Sequence, residues 1–280
     1  MRPSLAPRGP GVLATPRDLW HTSAAPTMRP RQPETAPRAD TLLVLRTGDA
    51  VAEVAAHHGE FARWIAEATG DAWPGRWHEH DARGGGAWPD VHAYAGVVVT
   101  GSSASVTERA PWMLDTERWL REAVEAGAAV LGICFGHQLL AQALGGEVQK
   151  NPRGREIGSV ELTVAADDLL FEGLPPRFVV NATHLDTVAA LPPGARSVAT
   201  TALESHAVLS FAPRVRGVQF HPEICAAKMR GYLAVRRGAV VAEGLDADAL
   251  VAQVVETPLS AELLRNFVRH FVGGQGRRPA

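Results

Sequence analysis

The 280-residue sequence is poor in cysteine and in lysine, with only Cys134, Cys225, Lys150 and Lys228 present. Two cysteines make neither a disulfide framework nor a zinc-ligand pattern. Their scarcity fits a reduced, cytoplasmic setting. An excess of charge is also missing. The 28 basic and 30 acidic residues leave a net charge of −2, which provides no electrostatic footprint for nucleic acid and no polybasic membrane address. No apolar run approaches the ~20 residues of a membrane span, since Val97-Val98-Val99 and Ala128 to Ile133 are of strand length. Almost all positive charge is arginine, which we read as codon usage in a GC-rich genome. Hydrophobic content, at 46%, is that of an ordinary globular protein. A chain this long buries roughly three quarters of its unfolded surface without disulfides or a structural metal.

Residues 1–39 stand apart, with eight prolines, six arginines and two acids, Asp18 and Glu34. Arginine-rich, acid-poor segments suit targeting peptides. Prolines this dense break an amphipathic helix, and the apolar stretch of a secretory signal is absent. The expectation is a disordered extension, or a start placed too early with Met28 nearer the true one. From residue 41 short apolar strands alternate with helices. Strands are expected at Thr41 to Leu45, Gly96 to Thr100 and Ala128 to Ile133, and helices at Glu60 to Ala68, Pro111 to Ala126 and Gln138 to Leu144. Near-continuous apolar strands between helices indicate a parallel sheet covered on both faces. The second half is richer in strands, at Ser159 to Val164, Phe178 to Asn181, Ala207 to Phe211 and Val215 to Phe220. Three helices are expected over 226–272, punctuated by Gly244 and Pro258. The expected organisation is one domain over residues 40–224 with a helical extension, residues 225–280, packed on it.

Gly132-Ile133-Cys134-Phe135-Gly136 joins a buried strand directly to a helix. A sharp strand-to-helix turn of the form Gly-x-nucleophile-x-Gly exposes its central side chain at the sheet edge. The free N–H groups and partial positive charge of the helix start favour thiolate over thiol. The N–H of Phe135 is then placed to donate to a developing oxyanion. Taken alone, the segment fits a small buried cysteine closing a strand equally well.

A cysteine nucleophile needs a histidine, and the histidine an orienting partner. His221-Pro222-Glu223 follows the apolar run Gly217 to Phe220. Proline keeps the preceding residue extended, and in extended chain residues two apart point the same way. Glu223 is thereby placed beside His221, although the tripeptide by itself also suits a surface turn. Val97 to Thr100 ends in Gly101-Ser102-Ser103, a small-residue turn that offers backbone N–H groups as second oxyanion donors.

Together these elements resemble the class I, triad-type glutamine amidotransferases over roughly residues 41–224. The resemblance extends to His137-Gln138, Gly145-Gly146, Thr100-Gly101-Ser102 and Asn181-Ala182-Thr183-His184-Leu185-Asp186. It implies a three-layer α/β fold of flavodoxin type, with a mostly parallel sheet, helices on both faces and C-terminal helices besides. It implies a Cys134–His221–Glu223 triad acting on glutamine through a γ-glutamyl thioester, and an oxyanion hole from the backbone of Gly101, Ser102 and Phe135. Gln138, His184 and Asp186 would contact substrate, and Leu185 stands where the GMP-synthetase type has glycine. No cofactor or metal is implied, and no nucleic-acid or membrane partner. Within the class the closest likeness is to stand-alone GMP-synthase-like members. No Ser-Gly-Gly-x-Asp-Ser pyrophosphate loop occurs, so this sequence alone is not expected to make GMP, and the ammonia would serve a separate synthetase chain.

Two other readings remain: a hydrolase or peptidase acting on other γ-glutamyl compounds with the same triad, and a non-catalytic regulatory module. Cys225 reads as a chance small residue. His57-His58 and His78-Glu79-His80-Asp81 look like metal ligands but fall short of a complete set. Gly84-Gly85-Gly86 lacks the ending of a phosphate loop. Trp73, Trp77 and Trp88 are expected to pack in the core, or to line a groove near the site.

Overall fold

The computed structural model describes residues 40–273, so the expectation for residues 1–39 lies outside the described residues. The first half alternates as β1 (Thr41–Arg46), α1 (Ala52–His58), α2 (Phe61–Thr69), β2 (Arg76–Asp81), β3 (Gly96–Val99), α3 (Pro111–Glu125), β4 (Val130–Ile133) and α4 (Phe135–Ala143). Strands then dominate: β5 (Glu147–Lys150), β6 (Glu156–Val164), β7 (Arg177–His184), β8 (Asp186–Ala190), β9 (Arg196–Thr200), β10 (Val208–Ala212) and β11 (Val215–Val218). The described chain closes with α5 (Ala226–Ala242), α6 (Ala247–Gln253), α7 (Pro258–Phe267) and a π-helical turn over Val268–Val272.

Nine strands form one sheet in the order β2-β1-β3-β4-β11-β10-β9-β6-β7, and β5 pairs with β8 in a separate ribbon. From β2 to β11 the neighbours are parallel. From β11 to β7 they are antiparallel. The central strands β3 and β4, and Leu42 to Leu45 of β1, are apolar because both their faces are covered. Side chains alternate across a strand, so Leu42 and Val44 enter one core and Leu43 and Leu45 the other. The first core is closed by α1, α2, α5 and α7, which bury Val54, Trp64, Met229, Leu233 and Leu264. The second is closed by α3 and α4 through Met113, Leu120, Leu139 and Leu140. This is the mixed α/β architecture that the strand and helix pattern implies.

Some elements differ from expectation. α4 starts at Phe135 rather than Gln138, because the turn before it consumes a single residue. The edge strand β2 reads Arg-Trp-His-Glu-His-Asp and is only partly buried, so hydropathy does not reveal it. The same holds for the short, exposed β5 and β8.

The C-terminal helices are tied to the sheet by polar as well as apolar contacts. A Cβ on Gly231 of α5 would lie 2.7 Å from Val54 of α1, so the two helices touch backbone to side chain. Asn266 of α7 donates to the carbonyls of Leu170 and Glu172, at 2.9 Å each. Arg216 of β11 pairs with the buried carboxylate of Asp168, with its Nε 2.9 Å from Oδ2. Its guanidinium also lies 4.6 Å from the centre of the Phe271 ring. Among the described residues no helix is long and apolar enough to cross a membrane.

Breaking a buried pair by removing one partner leaves an uncompensated charge, which costs about 3–5 kcal/mol. Asp168→Ala is therefore expected to lower unfolding free energy by about that amount, read as a shift of the urea midpoint at unchanged slope.

Candidate active site

Cys134 alone makes the turn between β4 and α4, with φ 51° and ψ −102°. A non-glycine residue held in such a region costs about 1–3 kcal/mol and needs surroundings that enforce it. The enforcement comes from Gly132 and Gly136. A Cβ on Gly132 would sit 2.5 Å from the carbonyl of Gly136, and one on Gly136 would sit 2.5 Å from the carbonyl oxygen of Val99. The first turn of α4 is thus seated against β3 and β4 at a distance no side chain permits. Hydrogen bonds fix the seat, from Gly136 N–H to the Thr100 carbonyl at 3.2 Å and from Cys134 N–H to the Val218 carbonyl at 2.8 Å.

His221 follows β11 and is held by its own N–H, which donates to the Asn181 carbonyl at 2.8 Å. Its Nδ1 lies 2.7 Å from Oε1 of Glu223. With Nδ1 so engaged, Nε2 is the ring nitrogen left free to serve the Cys134 thiol. All three side chains are buried. Phe61, the first residue of α2, lies parallel to the imidazole with ring centres 6.2 Å apart. Lys228 of α5 donates from Nζ to the Glu223 carbonyl at 3.1 Å.

Burial by itself pushes the Cys134 thiol up and the His221 imidazole down. The charges override both effects. The neighbouring imidazolium holds the thiol below its ordinary range, with His184 adding to the pull. Glu223 and the thiolate hold His221 well above the ordinary imidazole range. The pair is therefore biased toward a thiolate beside an imidazolium.

The turn after β3 places Gly101 against the imidazole, where a Cβ would come 2.9 Å from Cε1 of His221. Among the described residues no acceptor takes the backbone N–H groups of Gly101, Ser102 or Phe135. Thr47, fully buried at the end of β1, props this turn. Its Oγ1 donates to the Thr100 carbonyl at 2.8 Å, and its N–H donates to Thr100 Oγ1 at 3.0 Å. No local pattern in the sequence singles out Thr47.

A cavity of about 200 Å³ opens beside Cys134 and is bordered by Ser102, Phe135, Gln138, His184 and Asp186, so it gathers every expected substrate contact. The Gln138 amide nitrogen donates to the Asp186 carbonyl and to Gln219 Oε1, at 3.0 Å each. Its oxygen is the atom left for a ligand. Asp186 accepts a hydrogen bond from Ser105. His184 is held differently from a ligand-binding histidine. Its Nδ1 lies 3.0 Å from the Asp186 carbonyl oxygen and its Nε2 3.0 Å from Oε2 of Glu156. Both partners only accept, so both nitrogens must carry protons. Burial opposes this charge, while Glu156 and the thiolate restore it and raise His184. Reciprocally, His184 holds Glu156 low against its burial. Glu156 was not singled out in the sequence, where it is one acid among many.

The other expectations fall outside the site. His137 is buried on the far side of α4, where loss of solvent pushes it down to about 3, so it is neutral. His78 stacks on Tyr94, and Trp88 stacks on Trp119 with centres 5.8 Å apart. Trp73 and Trp77 pack against the opposite core from Trp88, so the three do not gather at the mouth. Among the described residues no group of three or more metal-ligating side chains forms.

The family model described as glutamine amidotransferase class-I matches residues 78–234. Among curated relatives, the chain is 41% identical over 130 residues to the glutamine-hydrolysing GMP synthase of Aeropyrum pernix, covering 46% of this chain and 24% of that protein. The synthase of Thermomicrobium roseum is 41% identical over 129 residues, covering 46% and 23%. The chain thus spans about a quarter of the length of these relatives. In fold it is similar to a glutamine amidotransferase from Thermotoga maritima, with a TM-score of 0.68, 23% identity, and 83% of this chain and 97% of that one covered. It is similar likewise to one from Methylobacillus flagellatus, with a TM-score of 0.67, 19% identity, and 88% and 97% covered.

The charge arrangement has a measurable sign. Alkylation of Cys134 by iodoacetamide is expected to persist below the ordinary thiol range and to fall only when pH drops through the lowered thiol value. Glu156→Gln releases the second proton of His184, raises the thiol, and is expected to move that acid limb to higher pH. An unmoved limb in the variant contradicts the role given to the His184 charge.

Proposed function

The chain belongs to the class-I glutamine amidotransferases, and we propose that it hydrolyses the side-chain amide of glutamine with Cys134 as nucleophile, His221 as proton carrier and Glu223 as the group that orients His221. The observation that carries this reading is the buried chain Glu223–His221–Cys134, set on a strained one-residue elbow beside unclaimed backbone N–H groups.

Glutamine enters the cavity bordered by Gln138, His184 and Asp186. The thiolate attacks the γ-carbonyl carbon, and the negative charge that develops on its oxygen is taken up by the N–H groups of Phe135 and of Gly101 or Ser102. Preorganised donors of this kind are worth about 3–4 kcal/mol each. His221 gives its proton to the departing nitrogen, the C–N bond breaks, and ammonia leaves behind a γ-glutamyl thioester. Water then attacks the thioester while His221 takes its proton, releasing glutamate and restoring the thiolate. Glu223 keeps the ring in the required tautomer and compensates the imidazolium charge, the role carboxylates fill in such triads. Gln138 and Asp186 offer an amide oxygen and a carboxylate, which suit the α-ammonium of the substrate. His184 acts through charge, because both of its nitrogens are taken.

The GMP synthases that the chain resembles hydrolyse glutamine, as their names state. We place the ammonia produced here at the service of a synthetase activity on a partner chain.

Purified protein is expected to release equal amounts of ammonia and glutamate from glutamine. Cys134→Ala should reduce this to background, and Glu223→Gln should lower kcat by about 10²-fold or more. Turnover should fall on the alkaline side as pH rises through the raised His221 value, while alkylation of Cys134 continues. In Glu223→Gln, the lost carboxylate lowers His221 and should bring that alkaline limb to lower pH. Undiminished turnover in Cys134→Ala overturns the proposal.

A further inference from the structure

A second cavity, of about 320 Å³, also reaches Cys134. It lies on the α1, α2 and α5 side of the sheet edge and is bordered by Ala50, Val51, Phe61, Tyr232 and His221. His221 borders this cavity and not the one that holds Gln138 and Asp186. The two cavities share Ser102, Ser103, Cys134, Thr183 and Arg236 as walls, and the proton donor faces the one away from Gln138 and Asp186. The departing amine must stand at that donor, so it leaves into this second cavity, whose volume is many times that of ammonia.

Its walls say what kind of amine fits. Phe61 and Tyr232 are aromatic, and Ala50 and Val51 are small and apolar. Ser102, Ser103, Thr183 and Cys134 form the wall shared with the first cavity, and two arginines and one carboxylate complete the border. Arg83 is bound by Asp49 through both terminal nitrogens, at 2.8 and 2.9 Å. Arg236 is different. It comes from α5, and among the described residues it makes no hydrogen bond or ion pair. Its Nε is buried without a partner. Arg236 borders both cavities, and its guanidinium lies 5.7 Å from the centre of the Tyr232 ring, which borders the second cavity and not the first. Arg155, beside the first cavity, is already paired with Glu243 at 2.7 and 2.8 Å. A buried donor without an acceptor is costly, and a carboxylate meets a guanidinium through two parallel hydrogen bonds. The uncompensated charge in this cavity is positive, which favours an anionic occupant over a cationic amine.

We propose that the second cavity is a leaving-group subsite for an amino acid, with Arg236 binding its carboxylate, so that the chain also cleaves γ-glutamyl amino acids. The inference rests on the triad chemistry proposed above and extends it to a larger leaving group. The Cys134 thiolate forms the C–S bond to the γ-carbonyl as the C–N bond breaks. His221 supplies the proton that completes the amino group of the departing amino acid. Water hydrolyses the thioester to glutamate and returns a proton to His221.

The test uses the full chain with three substrates: glutamine, γ-glutamyl-leucine and γ-glutamyl-isoamylamide, the last having leucine's skeleton without its carboxylate. We expect kcat/KM for γ-glutamyl-leucine to exceed that for the isoamylamide by about 10-fold or more, the worth of a charge-assisted hydrogen bond. Arg236→Gln should erase that ratio and cost γ-glutamyl-leucine about 10-fold more than it costs glutamine. Thermal unfolding of the variant confirms that the fold is kept. Glutamine hydrolysis without cleavage of γ-glutamyl-leucine overturns the inference and leaves the amidotransferase reading standing. Equal cleavage of the two amides also overturns it. An equal loss on glutamine and γ-glutamyl-leucine in Arg236→Gln would move Arg236 to the shared α-carboxylate and overturn its assignment here. Cleavage of none of the three substrates would sink both readings.

Discussion

Everything at the site depends on how closely α4 approaches β3 and β4. Side chains at positions 132 and 136 would collide with backbone, so their absence lets the helix begin one residue after the strand ends. With so short a turn Cys134 has no choice but a positive φ. The same shortness places its sulfur at the helix N-terminus, where the first N–H groups lack intrahelical acceptors and the dipole favours negative charge. The strain is offset along the rest of the helix, whose Leu139, Leu140 and Ala141 are fully buried against the sheet. One steric constraint therefore yields the nucleophile projecting at the sheet edge, an oxyanion donor and part of the thiolate's stabilisation.

Around that elbow, five buried groups alternate in charge: Glu156, His184, the Cys134 thiolate, His221 and Glu223. An isolated charge in such an interior would neutralise by shifting its pKa. Here each charge stands beside one of opposite sign. The thiolate is flanked by two imidazolium groups, each secured by its own carboxylate. This resolves a tension in the energetics of Cys134, which burial pushes toward the neutral thiol and its neighbours pull toward the anion. The nucleophile stays charged because both of its cationic neighbours are themselves anchored, not because it is solvated.

The parts of the site legible in the sequence are those in which a local pattern carries the steric reason. Glycines on either side of a cysteine encode the elbow. His221 and Glu223 do meet, at 2.7 Å, but not through the extended chain expected around Pro222: residues 221–224 form a turn closed by the Ile224 N–H on the His221 carbonyl at 3.2 Å. The apolar strands β1, β3 and β4 were legible because burial on both faces leaves no polar positions. Other parts reach the site through tertiary contacts. Thr47 lies 53 residues from its partner Thr100, and Glu156 lies 28 from His184. Phe61 reads in the sequence as one member of an apolar helix face, which it also is, while its ring covers His221. Position 184 reads as a substrate contact by resemblance. Its geometry instead spends both ring nitrogens on the protein, a distinction no single sequence could express.

Parallel pairing explains why these scattered residues meet. In an open α/β sheet ligands gather beyond the carboxyl ends of the strands, and β1, β3, β4 and β11 end together at one edge. Thr47, Gly101, Cys134 and His221 each stand within three residues of one of those ends. The helices leave that edge on two faces, with α4 covering one core and α1, α2 and α5 the other. A nucleophile on the edge between two covered faces meets two adjoining cavities, which share Ser102, Ser103, Cys134, Thr183 and Arg236 as walls. Because β11 ends at the triad, α5 must begin there, three residues beyond Glu223. Its packing on α1 through Gly231 then brings Tyr232 and Arg236 to the cavity that His221 faces. The side of the site where the amine departs is thus built partly by the helix that follows the triad, while the side holding the glutamyl group is built by α4, the turn after β3 and the junction of β7 with β8, with Arg236 of α5 bordering both. Changes at Tyr232, which borders the departure side and not the other, can alter what leaves without disturbing what is attacked.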